Sequence, residues 1–340
     1  MAELKNITGA LLIDATAAFL NGAGLGTGED KNKVIPKTFR EKVNNRIEEV
    51  PYVSAQSWRR WLRDTTNEEN NWNPSELRSI GKSEGKESTN KISTELNPVD
   101  FPEDDLFGYM KSGAKGEESI QRTSPFKTSI LKGIRNMRTL NNDEAFVHLK
   151  EGTPLPYSTR FYSTHLEGFF NLEYYRLGVY DNLGSHQELS KELVELHQDK
   201  FQISDLYGNK FKRYELKDAG NIRNKNASGL LKGLAFLRGG AKQSAFGSDV
   251  SPKVLILAGM ESANPVFNNI FIGTGEKPAL NLDVIKQIAS DYNSKLASPI
   301  YIGIRAGYLQ NEDDVKALGA GFVIDSPIGI VNKFNENYLK

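Results

Sequence analysis

Four side chains that can hold an anion share one face of a predicted helix. They are spaced i, i+3, i+4 and i+7, and they are Gln56, Arg59, Arg60 and Arg63. A guanidinium group donates hydrogen bonds in a planar fork that matches phosphate oxygens, and the free N–H groups at a helix N-terminus also favour an anion. The spacing therefore predicts a phosphate-binding surface.

The element that positions these side chains is a helix that begins after Ser54, whose hydroxyl can cap the first turn. Pro51, just before it, ends the preceding segment. Trp58, Trp61 and Leu62 fall on the opposite face of the helix, and a face of this kind packs against a core.

The alternative interpretation of the arginine face is an ordinary solvated helix face. Arg59 and Arg63 form an i,i+4 pair of like charges, which costs a helix about 0.2–0.5 kcal/mol. Only Asp64 offers a carboxylate nearby in sequence. A face that repels itself beside a positive helix end favours an anion from outside the chain.

A second candidate site is the glycine-containing loop "RGGAKQSAFGSDVSP". Gly239 and Gly240 allow a backbone to approach a ligand closely, and Arg238, Lys242 and Gln243 flank them. Such a loop suits a sugar–phosphate backbone. The alternative interpretation of this loop is an ordinary helix C-cap with glycine. Together with the arginine face, the loop favours RNA binding.

Other kinds of chemistry find little support in the sequence. The chain has no cysteine, which excludes disulfides, thiolate zinc sites and cysteine nucleophiles. Its histidines, at positions 148, 165, 186 and 197, lack the spacing of a metal site, and the glycine-rich segments match neither a dinucleotide fingerprint nor a Walker loop. We therefore expect no catalytic residue, no metal and no cofactor.

The composition is that of a large globular protein with sorted charges. The 340 residues include 43 basic and 43 acidic ones, which disfavours a freestanding nonspecific nucleic-acid binder. Acids cluster at 97–110 and bases at 219–253, so a positive groove with acidic outer faces is one arrangement that would let copies stack on a polyanion. We expect a cytoplasmic protein, because no apolar run reaches about 18 residues and no leader is recognisable.

The order of predicted elements is strand, helix, insertion, strand, strand, helix, strand. The segments "ITGALLIDATAAFLN", "RFYSTHLEGFFNLEYYRLGVY", "GNKFKRYEL" and "KVLILAGM" are the strands, and "NASGLLKGLAFL" is the second helix. This order predicts an α+β fold with a ferredoxin-like, RRM-type β-α-β-β-α-β palm. The predicted regions are 1–66 for the first half of the palm, 67–159 for inserted fingers and thumb, and 160–340 for the rest.

Several of these motifs together resemble a family. "PYVSAQSWRRWLR", "DLFGYM", "RTSPFKTS" and "LRGGAKQSAFGSDVSPKVLILAGM" are similar to the backbone subunit of type I CRISPR interference complexes (Cascade, the Cas-seven family). The branch that they resemble is the DevR-type autoregulator group of type I-B systems. The resemblance runs from the first strand to at least Met260, and the polar stretch 67–97 matches no pattern.

The resemblance implies a function as well as a fold. Members of the family polymerise along the spacer of a CRISPR RNA and present it for pairing with target DNA, and a thumb flips out a base at about every sixth position. The implied partners are CRISPR RNA, the target DNA strand, other copies of the chain, and the large, small, 5'-handle-binding and guide-processing subunits of Cascade. No membrane partner is implied, and a separate nuclease cuts the target.

Carried over by position, the resemblance implies a set of RNA-binding residues. Those with a matching motif or loop are Asn21, Lys31, Lys33, Lys37, Ser54, Gln56, Arg59, Arg60, Arg63, Met110, Lys242 and Gln243. Met110 is expected to pack near the kink in the guide. Phe146 is expected to act as the wedge of a thumb at 133–162, without a motif that supports it, and Arg238 and Arg305 are added on their chemistry.

Two rival functions remain at this point. Related subunits of type III systems cut target RNA with an aspartate in the loop after the first strand, where this chain has Asp30. A solvated loop acid is the simpler interpretation of that residue. The second rival is a transcriptional autoregulator that binds DNA, although the sequence contains no recognisable helix-turn-helix.

Overall fold

The structure is a computed structural model that describes residues 2–28, 32–43, 45–80, 91–111, 119–134, 139–147, 155–274 and 276–340. The strands are β1 (Asn6–Ala18), β2 (Gly22–Leu25), β3 (Lys33–Pro36), β4 (Thr38–Val43), β5 (Arg46–Val53), β6 (Arg78–Ile80), β7 (Lys91–Ser93), β8 (Tyr109–Lys111), β9 (Ile120–Arg122), β10 (Phe126–Thr128), β11 (Leu131–Gly133), β12 (Thr139–Val147), β13 (Leu155–Leu172), β14 (Val179–Leu183), β15 (His186–Gln187), β16 (Phe201–Leu206), β17 (Phe211–Leu216), β18 (Val254–Met260), β19 (Phe271–Thr274), β20 (Lys277–Leu280), β21 (Ile300–Ile304) and β22 (Phe322–Asp325). The helices are α1 (Ala55–Asn70), α2 (Pro102–Phe107), α3 (Lys191–Leu196), α4 (Ala219–Ala235), α5 (Gln243–Phe246), α6 (Leu282–Asp291), α7 (Glu312–Lys316) and α8 (Pro327–Tyr338).

The main sheet contains the predicted ferredoxin-like palm. Its strands run in the order β22–β21–β18–β1–β13–β11–β5–β4, and β10 also pairs with β13. The strands β18, β1, β13 and the broken pair β10/β11 are antiparallel neighbours, in the order expected for the fourth, first, third and second strands of the plan. The fold class predicted from the sequence is confirmed.

Two hydrophobic cores lie on the two faces of this sheet. Ile7 and Leu11 of β1 pack on one side with Trp58 of α1 and with side chains of α4 and α8. Ala10 and Leu12 of the same strand pack on the other side with α6 and the β19–β20 hairpin. Because β1 is buried on both faces, it is apolar along most of its length rather than alternating.

One strand assignment made from the sequence is wrong. The segment "GNKFKRYEL" contains β17, which pairs with β14 and β16 in a separate six-stranded sheet and is no part of the palm. The third palm strand is instead β13, which was expected to be the second, and the second is β10/β11, from the stretch 67–159 that was expected to form fingers and thumb. Alternation of apolar residues predicts a strand but does not identify its neighbour.

The second sheet, β16–β17–β14–β15–β9–β8, is tied to the palm by buried charges. Arg122 of β9 is fully buried, contacts Asp105 at 2.5 Å and lies 3.0 Å from Glu188. Asp105 in turn accepts a hydrogen bond of 3.0 Å from Asn226 of α4. Buried ions of this kind are tolerated only when they are paired, so the network fixes how the second sheet docks on the palm.

Strands β12 and β13 pair in a long hairpin that overlaps the range 133–162 expected for the thumb. Its register runs from Thr139 opposite Ser163 to Val147 opposite Leu155. A hairpin is what the family resemblance implies for the thumb. In the described part of the chain, no helix combines the length and the apolar character needed to cross a membrane.

Candidate nucleic-acid interface

The N-terminus of α1 forms as the sequence predicts, and a distant side chain supports it. Ser54 caps the helix, because its Oγ accepts a hydrogen bond from the N–H of Ser57. The N–H of Ser54 is itself bonded to Oδ1 of Asn21 at 3.0 Å, and the carbonyl of Asn21 accepts from the N–H of Lys37 at 2.8 Å. The expected site residues Asn21, Lys37 and Ser54 therefore lie together.

The glycine-containing loop 239–243, from the second half of the chain, packs against the same region. The N–H of Ala241 donates to the carbonyl of Leu20 at 2.9 Å. Gly239 has a φ of +147°, and a Cβ at this position would overlap the ring of Trp61 on α1. The side-chain amide of Gln243 closes the turn by donating to the carbonyl of Gly239. The end of β1, the start of α1 and the loop 239–243 thus form one surface, which we call the interface surface.

Lys242 lies at the edge of this surface, next to strand β13 of the β12–β13 hairpin. Its backbone is left-handed, with a φ of 52°, and its Nζ donates to Oγ1 of Thr159 at 2.7 Å. The same Nζ lies 5.2 Å from the centroid of the Phe19 ring. The ammonium group of Lys242 has three N–H donors and uses one of them on Thr159, so it keeps donors for a phosphate oxygen.

Arg59 points into the protein rather than towards solvent. Its guanidinium donates to the carbonyl of Phe126, to the carbonyl of Phe107 at 3.2 Å and to Oγ of Ser124 at 2.9 Å. Burial, with a further contribution from the nearby positive charge of Arg63, lowers the pKa of Arg59 to about 10. These contacts give Arg59 a structural role in holding α1 against the segments around β10.

Arg63 also finds its anions within the chain. Its side chain is 13% exposed and lies 3.6 Å from Glu103 and 3.7 Å from Asp104. Both carboxylates are almost fully buried, and burial raises the pKa of Asp104. Arg63 therefore has carboxylates of its own chain nearby, and its contact with RNA stays a prediction. The acids 103–105 of α2 lie inside the protein and not on an outer face.

Gln56 and Arg60 remain exposed on the same face of α1. Arg60 pairs with Asp64 at 2.9 Å, and both side chains are about half exposed, so the pair is weak. With the two inward arginines and with Phe107, they line an open groove of about 270 Å³. The groove carries positive charge and opens beside the helix start.

The remaining basic candidates, Arg238, Lys33 and Arg305, lie on three different segments. Arg238 lies at the far end of α1, where it pairs with Glu68 at 2.7 Å and Glu69 at 2.6 Å. Lys33 lies on β3, which pairs with the hairpin strand β13. Arg305 is exposed just after β21, where its N–H bonds to the carbonyl of Lys253.

Two apolar side chains of the stretch 67–159 differ in burial. Met110 on β8 is 59% exposed, so it is not a core residue. Phe126 is fully buried against the rings of Trp58, Phe107 and Phe170, although this stretch was expected to form fingers and thumb.

Other expected residues lie outside the described part of the chain or only partly within it. Lys31 and Asp30 fall outside the described residues. Phe146 lies on β12 opposite Pro156, and its side chain is not among those described.

Sequence reasoning missed several residues that shape this surface. Thr159 holds Lys242, and Glu103 and Asp104 neutralise Arg63. The available signal was the run of three acids at 103–105, directly after Pro102. Acids in the first turn are typical of the start of a helix, and they can pair with a basic side chain nearby. Within the described ranges, no group of three or more His, Asp or Glu side chains is placed to hold a metal ion.

Comparison with known proteins gives a structural likeness alone. The fold is similar to that of a chain in a solved structure described as a CRISPR RNA-guided surveillance complex, with a TM-score of 0.53, 12% sequence identity, and coverage of 98% of this chain and 99% of that chain. A chain from such a complex described as pre-nicking gives a TM-score of 0.56 at 10% identity, with the same coverage. No family model and no curated protein matches.

Proposed function

We propose that the chain is the CRISPR RNA-binding backbone subunit of a type I Cascade interference complex, of the I-B subtype. Copies of it oligomerise along the spacer of the guide and present the guide for pairing with target DNA. The subunit cuts no nucleic acid itself, and its partners are the guide, further copies and the other Cascade subunits.

The observation that carries this proposal is the interface surface. Three segments that are distant in sequence, the end of β1, the start of α1 and the loop 239–243, are joined there by hydrogen bonds. Arg60, Gln56 and Lys242 supply donors at its edge, and these donors suit a phosphate backbone without reading bases. The similarity of the whole fold to chains of structures described as CRISPR RNA-guided surveillance complexes supports the same function.

The contacts that Arg59 and Arg63 make within the chain refine which residues bind. Their guanidinium groups hold the fold together, so the guide backbone is bound mainly by Arg60 and Lys242, with Gln56, Lys37 and the N–H groups at the start of α1. Few phosphate contacts per copy suit a subunit that binds its guide through many copies in a row, because avidity multiplies weak contacts.

The test is to express the chain with the guide and its partner subunits, purify the assembly, and sequence the bound RNA. The expected reads are spacers flanked by repeat-derived ends. The double substitution Arg60→Ala/Lys242→Ala should lower RNA recovery for all spacers alike and reduce the salt dependence of binding by about 0.7 per lost contact.

The matched control is Lys277→Ala, which removes an exposed lysine of β20 on the opposite side of the sheet. It should leave RNA recovery unchanged. Recovery of random RNA, or preferential binding to promoter duplex in a gel shift, would contradict the proposal and favour the autoregulator.

A further inference from the structure

The hairpin of β16 and β17 projects from the second sheet with an aromatic tip. Leu206 pairs with Phe211 across the four-residue loop 207–210. The side chain of Tyr207 is 76% exposed, more than any other large hydrophobic side chain among the described residues. Ile203, on the edge strand of the same hairpin, is 50% exposed. These two apolar side chains are exposed on one hairpin and are therefore available to a ligand.

The backbone of the tip holds the tyrosine outwards in a costly conformation. Tyr207 and Asn209 have φ angles of 52° and 68°, and Gly208 between them has 67°. A bulky aromatic residue rarely adopts the left-handed region, because its Cβ approaches the following carbonyl. Such strain at an exposed residue points to a role in binding rather than in stability.

The rings and charges at the tip form a small cationic platform. The ring of Tyr207 meets the ring of Phe211 edge-on, with centroids 6.1 Å apart at 81°. Nζ of Lys210 lies 5.3 Å from the centroid of Phe211. Asp205, the nearest acid in sequence, is paired with Lys212. Lys210 is therefore the cation of the tip, beside an aromatic face that is open to solvent.

We propose that this tip binds single-stranded nucleic acid. An unpaired base stacks on Tyr207, and Lys210 contacts a neighbouring phosphate, which is how aromatic and basic residues combine in single-strand binders. A duplex is a poorer ligand, because its base faces are already stacked inside the helix. The tip lies on the second sheet, outside the interface surface, so the strand that it binds is a second one and not the guide.

The test uses the full chain with its copurified RNA and fluorescently labelled oligo(dT), oligo(rU) and a duplex of the same length. Tyr207→Ala should weaken binding of the single strands about tenfold or more. Lys210→Ala should reduce the salt slope of binding by about 0.7. Tyr175→Ala is the matched control, because Tyr175 is 49% exposed and lies outside the hairpin, and it should change nothing.

The comparison of oligo(dT) with oligo(rU) determines whether the tip prefers DNA or RNA. A larger loss for oligo(dT) assigns the tip to DNA, a larger loss for oligo(rU) assigns it to RNA, and equal losses indicate a site that recognises the shared base and phosphate. All three results support single-strand binding. Equal weakening of single strands and duplex would overturn it, because stacking on an exposed base would then not be involved.

Photo-crosslinking gives a readout that does not depend on affinity. Oligo(dT) with 5-bromouracil in place of thymine should crosslink to the peptide that contains Tyr207 and Phe211, as mapped by mass spectrometry. Crosslinks confined to other peptides, with unchanged binding by both variants, would overturn the proposal. So would loss of a copurifying protein from the Tyr207→Ala variant while oligonucleotide binding stays intact.

This inference stands apart from the proposed function. Guide RNA should copurify equally with the native chain and with both tip variants, because the tip is not part of the interface surface. If no guide copurifies with any of them, the proposed function fails, while the oligonucleotide and crosslinking results still decide whether the tip binds a single strand.

Discussion

Arginines that share a helix face can differ completely in what they do, and the three on α1 differ in this way. Arg59 donates to two backbone carbonyls and a hydroxyl, Arg63 faces two buried carboxylates, and Arg60 has only an exposed pair with Asp64. The helix sets the spacing of the side chains, but the segments that pack on the helix decide which charges remain for a ligand.

The first prediction separates Arg60 from Arg59. Arg60→Ala should weaken RNA binding with little change in melting temperature, because exposed ion pairs contribute about 0–1 kcal/mol. Arg59→Ala should destabilise the fold by about 2 kcal/mol, because it removes a part-buried guanidinium that donates to the carbonyl of Phe107 and to Ser124. Thermal unfolding and RNA binding, both measured on each variant, check this. Equal melting temperatures for the two variants would contradict the inward placement of Arg59.

At the scale of elements, the sequence predicts α1 well and its surroundings poorly. The serine cap and the periodicity of Trp58 and Leu62 are local signals, and the helix begins where they place it. Neither Asn21, which supports the cap, nor the acids of α2, which neutralise Arg63, can be found from local spacing, because both contacts join segments distant in sequence. The pairing partners of strands cannot be predicted from local spacing for the same reason. Strand β17 is an example, because it belongs to the second sheet and not to the palm.

The second prediction contrasts two apolar side chains that the sequence treated alike. Phe126→Ala should cost about 3–5 kcal/mol, because it removes a fully buried ring and leaves a cavity. Met110→Ala should leave the monomer folded, because Met110 is 59% exposed on the edge strand β8. If the family resemblance holds, the methionine variant should instead weaken assembly on the guide. Denaturant unfolding and size-exclusion chromatography of the assembly measure the two effects, and unfolding of Met110→Ala would show that this residue is core.

The third prediction concerns how the loop 239–243 is held against α1. Gly239→Ala should lower both stability and RNA binding, since its positive φ disfavours a side chain and a Cβ would overlap Trp61. Gly220→Ala, in helix α4 with open space around it, is the control and should lower neither. Full RNA binding by Gly239→Ala would mean that the loop and the helix need not pack together for the interface surface to work.

At the scale of the whole molecule, the chain combines a basic interface surface on its palm with a hairpin that extends beyond the sheet. A contact between two different surfaces of identical copies builds an open helical assembly rather than a closed dimer. Strand β12 of the hairpin is nine residues long, from Thr139 to Val147. Under the proposed function, we expect this hairpin to contact a neighbouring copy and to separate successive bases of the guide.

The fourth prediction follows from that arrangement. In the assembled complex, chemical probing of the guide should reveal reactive bases at a regular interval near six, because an unstacked base costs only a few kcal/mol, which an apolar wedge can offset. Phe146→Ala should make the interval between reactive bases less regular and weaken pairing with target DNA, while the monomer stays folded. Met110→Ala should do the same if it packs at the kink. Lys277→Ala, on the far side of the sheet, should preserve the pattern. Uniform protection along the guide would mean that the hairpin does not divide it, even if the chain binds RNA.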